Sequence, residues 1–170
     1  QAISNEQKPA IGEITISIAD LATLKAEVET ILQRQAASAN KIQKLVDSKT
    51  ISDWVETGKG IHEGRTDCEF CGNSLPTDLL EKLNEHFSKD YDLLKTDIEA
   101  KLKALFASKI IITTPLPTET AFYSDLLQEF RIKKPLLETE LTNFNNVIGS
   151  LIEDLQSKKD KPFDRLGVTA

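Results

Sequence analysis

Methionine is missing from the chain altogether, and cysteine occurs only twice, as Cys68 and Cys71. With no initiator, the sequence reads as an excised or processed piece of a longer protein. Two cysteines are too few for a disulfide scaffold, which points to a reducing, cytoplasmic setting. No apolar run approaches the roughly 18 residues of a membrane-spanning helix, so no membrane partner is expected. Aromatic residues make up 6% of the chain, and glycine and proline are sparse. A composition rich instead in Leu, Ile, Glu, Lys and Ala favours helices with charged faces over sheets. A basic excess is also lacking: the net charge is −6, with acidic and basic residues interspersed, and the electrostatic footprint of a nucleic-acid binder is missing. Only Lys158, Lys159, Lys161 and Arg165 form a basic run, which reads as a solvated helix C-terminus complementing the macrodipole.

What the chain does have is helical periodicity. Residues 1–17 form an extended lead-in, with Ile11, Ile14 and Ile16 able to pair with Ile110, Ile111 and Ile112 as two short strands. From residue 18 to 49, Leu21, Leu24, Val28, Ile31, Ile42 and Leu45 fall on a heptad seam interrupted at Gln35 and Ser38. One helix of about 30 residues, roughly 45 Å long, is expected there. Residues 50–64 read as a shorter helix capped by Ser52 and ended by Gly58, Gly60 and Gly64. After the cysteines, Pro76, Thr77 and Asp78 begin a helix whose apolar residues are Leu83, Phe87, Tyr91, Leu94, Ile98, Leu102 and Leu105. These steps of four, four and three define an eleven-residue repeat. Pro115 and Pro117 break it, and Thr118 or Thr120 can cap a last helix carrying Leu126, Phe130, Leu137, Leu141, Phe144, Ile148, Leu151 and Leu155. Pro135 is expected to kink or split that helix near Arg131, and the chain to fray from Lys158 into Pro162 and Phe163. The fold class is all-α: long antiparallel helices running up, down and up over residues 18–160, as a three-helix bundle or coiled coil. A CxxC turn (apex 50–76) stands at one end, and residues 161–170 form a tail.

The inventory for catalysis is poor. No histidine sits in a metal-protease pattern or beside a nucleophile and an orienting acid, so the stretch is read as no enzyme. Thr57-Gly58-Lys59-Gly60 lacks the glycine spacing and the Ser/Thr of a phosphate loop. Chemistry concentrates in Asp67-Cys68-Glu69-Phe70-Cys71-Gly72. Two thiols at this spacing clamp a metal ion or form a strained redox disulfide, and Gly72 supplies the turn. Tetrahedral zinc takes four ligands, so a single CxxC is half a site. The rest comes from elsewhere in the chain or from a second copy. His62, six residues before Cys68, is the candidate third ligand of a Cys2His site, and His86 is a weaker one. The blander reading of His62 is a helix-end residue bonded to nearby carbonyls.

Trp54-Val55 with Gly58, Gly60 and His62, then Cys68-Glu69-Phe70-Cys71-Gly72-Asn73-Ser74-Leu75, resembles the signature of a bacterial AAA-domain family. That family includes the ATPases of the anticodon nuclease and its zinc-hook relatives. The likeness continues in Leu83, His86-Phe87 and Tyr91, more weakly in Leu155, Lys158 and Phe163, and spans about Thr50 to Lys161. The resemblance implies a coiled-coil insertion between the two halves of an ABC-type ATPase head. At its apex Cys68 and Cys71 would pair with those of a second copy, so that four thiolates share one zinc. Glu69 stands where the family commonly has proline, which would preset the turn. The ATPase motifs and the family's nuclease residues are not in this chain, so ATP, tRNA cleavage and nucleic-acid contact belong to the parent protein and its ATPase heads. The alternative to the hook is a monomeric domain with a redox-active CxxC or a Cys2His zinc site.

Overall fold

The computed structural model describes residues 7–8, 10–112 and 115–169. Among them are six α-helices, one short 3-10 turn at Glu119–Ala121 and no strand. The first helix, α1 (Leu21–Gln33), starts at Asp20, whose carboxylate accepts the N–H groups of Ala22 and Thr23. That satisfies two of the donors a helix start leaves free. It buries Val28, Ile31 and Leu32 and then stops, so the single helix expected over residues 18–49 is divided, resuming only in α2 (Gln43–Asp47). The seam residues explain the break. Gln35 Nε2 donates to the Phe163 carbonyl at 2.9 Å and the Ser38 hydroxyl to the Glu85 carbonyl at 2.8 Å. The Ala36 and Ala37 N–H groups go to the Pro162 carbonyl (2.9 Å) and the Asp90 carboxylate (2.7 Å). Polar groups in the seam thus turn the main chain outward to other elements, and the helical ladder loses to them.

The next helix, α3 (Lys49–Ile61), is capped by Ser48, whose hydroxyl accepts the Ile51 N–H, and not by Ser52, which is buried inside it. Gly58 and Gly60 lie within the helix, which ends at Ile61; Gly64, in the turn beyond it, takes a φ of 74°. Downstream, the expected long helix is two. In α4 (Leu79–His86) and α5 (Lys89–Ser108), the break falls at Phe87–Ser88, where the Ser88 hydroxyl accepts the Tyr91 N–H at 3.2 Å. Asp90 and Asp92 in the first turn of α5 suit the positive end of its dipole. The apolar repeat runs straight across this break: Leu83, Phe87, Tyr91, Leu94, Ile98 and Leu105 are all buried.

The last helix, α6 (Ser124–Asp160), is continuous through Pro135. A proline inside a helix removes one hydrogen bond. Here it does so where the surrounding residues are exposed and water can serve the freed carbonyl. At 37 residues α6 is about 55 Å long. Only its second part, from Leu141, enters the core, while Leu126, Ile132 and Leu136 are exposed. Cross-links show α5 running antiparallel to both α1 and α6: Arg34 to Asp97 and Glu27 to Lys101 join it to α1, and Glu99 to Lys159 joins it to α6. At the other end of α5, the Asn145 side chain takes both the N–H and the C=O of Ile110, each at 2.9 Å. This uses the backbone groups that a strand with Ile14 and Ile16 would need, and no ladder forms there. No helix among the described residues is long and apolar enough to cross a membrane.

The chain does not fray after Lys158. Pro162 and Phe163 are buried, Leu166 N–H bonds to the Leu32 carbonyl at 3.0 Å, and Thr169 bonds to the Asp154 carboxylate through its N–H and its hydroxyl. Lys158 itself is fully buried, donating to the carbonyls of Arg34 and Asp164. The basic run is therefore not wholly a solvated helix end. Burial pushes the Lys158 amine below its ordinary range, with Asp164 acting in the opposite direction.

Candidate metal centre at the cysteine turn

The cysteines occupy the turn between two short helices, α3 and α4, and not between the long ones. The start of α3 lies beside the end of α6, where Lys49 and Ser52 share a small cavity with Pro162 and Phe163. The end of α4 returns to the same place, where His86 packs against the Phe163 ring at 5.1 Å. The turn between them is thus carried outward by the 13 residues of α3, about 20 Å along its axis.

Its backbone is held by its own main-chain bonds. Cys68 N–H donates to the Asn73 carbonyl (2.8 Å), Gly72 N–H to the Cys68 carbonyl (2.7 Å) and Leu75 N–H to the Thr66 carbonyl (2.8 Å). Asp67 and Ser74 form an isolated antiparallel bridge, reinforced by the Ser74 hydroxyl on the Asp67 carboxylate at 3.0 Å. Gly72 takes a φ of 71° with open space where a Cβ would stand, so glycine is required there by the backbone and not by crowding. Arg65 pairs with Glu69 across the base of the turn.

Both thiols are free, Cys68 half-buried and Cys71 exposed. The N–H groups of Cys71 and Phe70 are directed at the Cys68 sulfur and lower its pKa to about 7. His62 and the Cys71 thiol assist, and partial burial opposes them. Successive amides aimed at one atom are a small anion nest, and a thiolate is the form that binds metal.

His62 is the C-terminal cap residue of α3. Its Nδ1 lies 2.6 Å from the Gly58 carbonyl and its Nε2 accepts the Glu69 N–H at 3.0 Å. With Nδ1 as donor, this fixes the ring as the Nδ1–H tautomer, with Nε2 turned to the cysteine turn. Two influences on the ring compete. The Gly58 carbonyl first, and then Cys68, raise the His62 pKa, whereas an N–H donated to Nε2 favours the neutral ring. The backbone bond to Gly58 is the kind of contact that orients a metal-binding imidazole, but the Nε2 lone pair is committed to Glu69. His86 stands apart in the core, its Nδ1 accepting the Ile42 N–H at 3.1 Å and its ring edge-on to Phe87 at 4.7 Å. Among the described residues no three His, Cys, Asp or Glu side chains form a metal-holding group. One chain therefore offers two free thiols, of which Cys68 faces the Cys71 and Phe70 amides, and these two would supply half of a tetrahedral zinc shell.

A feature that periodicity did not reveal lies beside Cys68. A groove of about 350 Å³ opens between α3 and α4, walled by Trp54, Val55, Leu75, Leu79, Leu80 and Leu83.

The model of the AAA domain family matches residues 1–169. The chain belongs to this AAA domain family. Comparison with curated proteins finds no match, and comparison with solved structures finds none. The match runs across the lead-in, the helices and the tail of this AAA-domain chain alike, so the cysteine turn lies well inside the stretch that defines membership.

Proposed function

We propose that this chain is a non-catalytic helical interaction module of a larger ABC-type AAA ATPase, an anticodon-nuclease-like defence system being the candidate parent. Its cysteine turn supplies Cys68 and Cys71 to a zinc ion completed by the same two residues of a second copy. The observation that carries this reading is the turn itself, with two free thiols, Cys68 on an amide nest and Cys71 exposed, carried outward on α3 and α4. Membership of the AAA domain family supports a part of a larger AAA-type protein, and the resemblance is what suggests the coiled-coil role, the attachment to ATPase heads and ATP bound by the parent alone. Zinc, when bound, would supply the link. Thiolate ligation is strong enough to join two narrow tips that bury little area.

Native mass spectrometry of zinc-loaded protein tests the reading. The expected species is a dimer with one zinc per two chains that is lost on Cys68→Ser. A monomer keeping its own zinc would overturn it. One observation favours a second reading, a monomeric Cys2His site: the His62 ring is pinned with Nε2 facing the turn. That reading expects one zinc per chain and its loss on His62→Ala.

A further inference from the structure

Two features of the cysteine turn complement each other. Phe70, between the two thiols, is 92% exposed, the most exposed large apolar side chain among the described residues. Beside Cys68, the groove offers an apolar hole about 350 Å³ in volume, with Trp54, itself 72% exposed, as one wall. We propose that Phe70 of one copy seats in this groove of a second copy, and the reverse, about a two-fold axis between the two cysteine turns. The inference rests on the shared-zinc reading, because shared zinc is what brings the turns together.

Geometry favours a second copy as the occupant. Cys68 itself lines the groove and Phe70 follows it by two residues, so a two-fold axis near Cys68 pairs the knob of each copy with the hole of the other. Lys59 is the one lysine lining the groove, and the Glu69 carboxylate that arrives with Phe70 is already paired with Arg65, so the match is one of shape and not of charge. Size argues the same way. Two phenylalanine side chains and the surface they cover bury about 600–1,000 Å², short of the roughly 1,200 Å² of a stable interface. The contact cannot hold two copies unaided and depends on the metal. A four-thiolate zinc site, in turn, has little control over the angle between two tips, which the ring in its groove would set.

Both key side chains are largely exposed, so truncating them leaves the fold in place. The test is sedimentation velocity on the zinc-loaded chain over a dilution series. Phe70→Ala and Trp54→Ala are each expected to weaken the dimer tenfold or more while keeping one zinc per two chains at high concentration, and Phe70→Leu to recover most of the loss. Mixing the two alanine variants is the sharper measurement. The Phe70→Ala chain keeps its groove and the Trp54→Ala chain keeps its knob, so the mixture should associate more tightly than either variant alone. A Phe70→Ala dimer as tight as the original, or a mixture no tighter than its components, overturns the inference and leaves the shared zinc standing. An unaltered chain that stays monomeric with zinc at all concentrations overturns the shared zinc and the inference with it.

Discussion

The two ends of the α3–α4 hairpin solve opposite problems. At the inner end, the close of α1, the α4–α5 break and the C-terminal segment meet around Leu32, His86, Tyr91, Lys158 and Phe163, all buried. At the outer end, the cysteine turn has almost no core and is held by a few main-chain bonds and the Arg65–Glu69 pair. The inner end uses polar groups to complete a packed interior: Lys158 caps two carbonyls and Gln35 a third. The outer end leaves Cys71 and the Phe70 ring exposed to water. Stability and candidate chemistry are therefore separable, and substitutions at one end should leave the other largely untouched.

The sharpest contrast is between two phenylalanines. Phe163→Ala at the inner joint is expected to cost about 3–5 kcal/mol, read from urea unfolding, because it removes a buried ring from a packed cluster. Phe70→Ala should change unfolding by no more than about 0.5 kcal/mol. Equal losses would show the turn to be part of the core. The next largest effect is expected at Lys158. Lys158→Met keeps the buried stem but leaves the Arg34 and Asp164 carbonyls unpaired, at about 1–3 kcal/mol. Limited proteolysis should then cut first within residues 161–169, while zinc binding at the turn persists.

Core positions were legible wherever the apolar repeat was, even where the helix was not. Leu83, Phe87, Tyr91, Leu94 and Ile98 lie on one line because the chain changes direction at Ser88 without losing its inward face. The break was hidden for the same reason, although Ser88 with Asp90 and Asp92 is a cap signal in its own right. Gln35 and Ser38 were visible as an interruption, but their partners Phe163 and Glu85 are distant in sequence, and no local pattern encodes them. Burial of Lys158 and Phe163 is tertiary in the same sense: a basic run with a proline looks like a frayed end until the Leu32 and Ala36 backbones are seen to receive it. At the site, the cysteines and His62 announced themselves by spacing. The groove did not, because its apolar walls come from separate stretches, Ile42 and Leu45, then Trp54 and Val55 of α3, Leu75 of the turn and three leucines of α4, and no local pattern joins them.

A smaller effect separates the two ends by pH. Burial lowers the His86 pKa below the ordinary 6.5, and its Nε2 is buried without a partner. The unfolded chain therefore binds this proton at a higher pH than the folded chain does. Stability from this group is complete above about pH 6.5 and declines as pH falls toward the depressed folded value, with a slope of at most about 1.4 kcal/mol per pH unit. Urea midpoints between pH 7.5 and 5.5 should fall less in His86→Gln than in the original chain. Identical slopes would remove His86 as the source.

The smallest expected effect on stability falls at the outer end and is the most informative about the metal. Glu69→Pro deletes the N–H that His62 Nε2 accepts, together with the Arg65–Glu69 pair. Both contacts are exposed, so unfolding should shift by no more than about 0.5 kcal/mol. Zinc affinity, measured by competition with a chromophoric chelator, should rise because proline presets the turn before the metal arrives. If two copies share the zinc, that gain is independent of His62 and survives in the Glu69→Pro, His62→Ala double variant. If it vanishes there, the histidine released from Glu69 has become a ligand, and the monomeric site replaces the shared one.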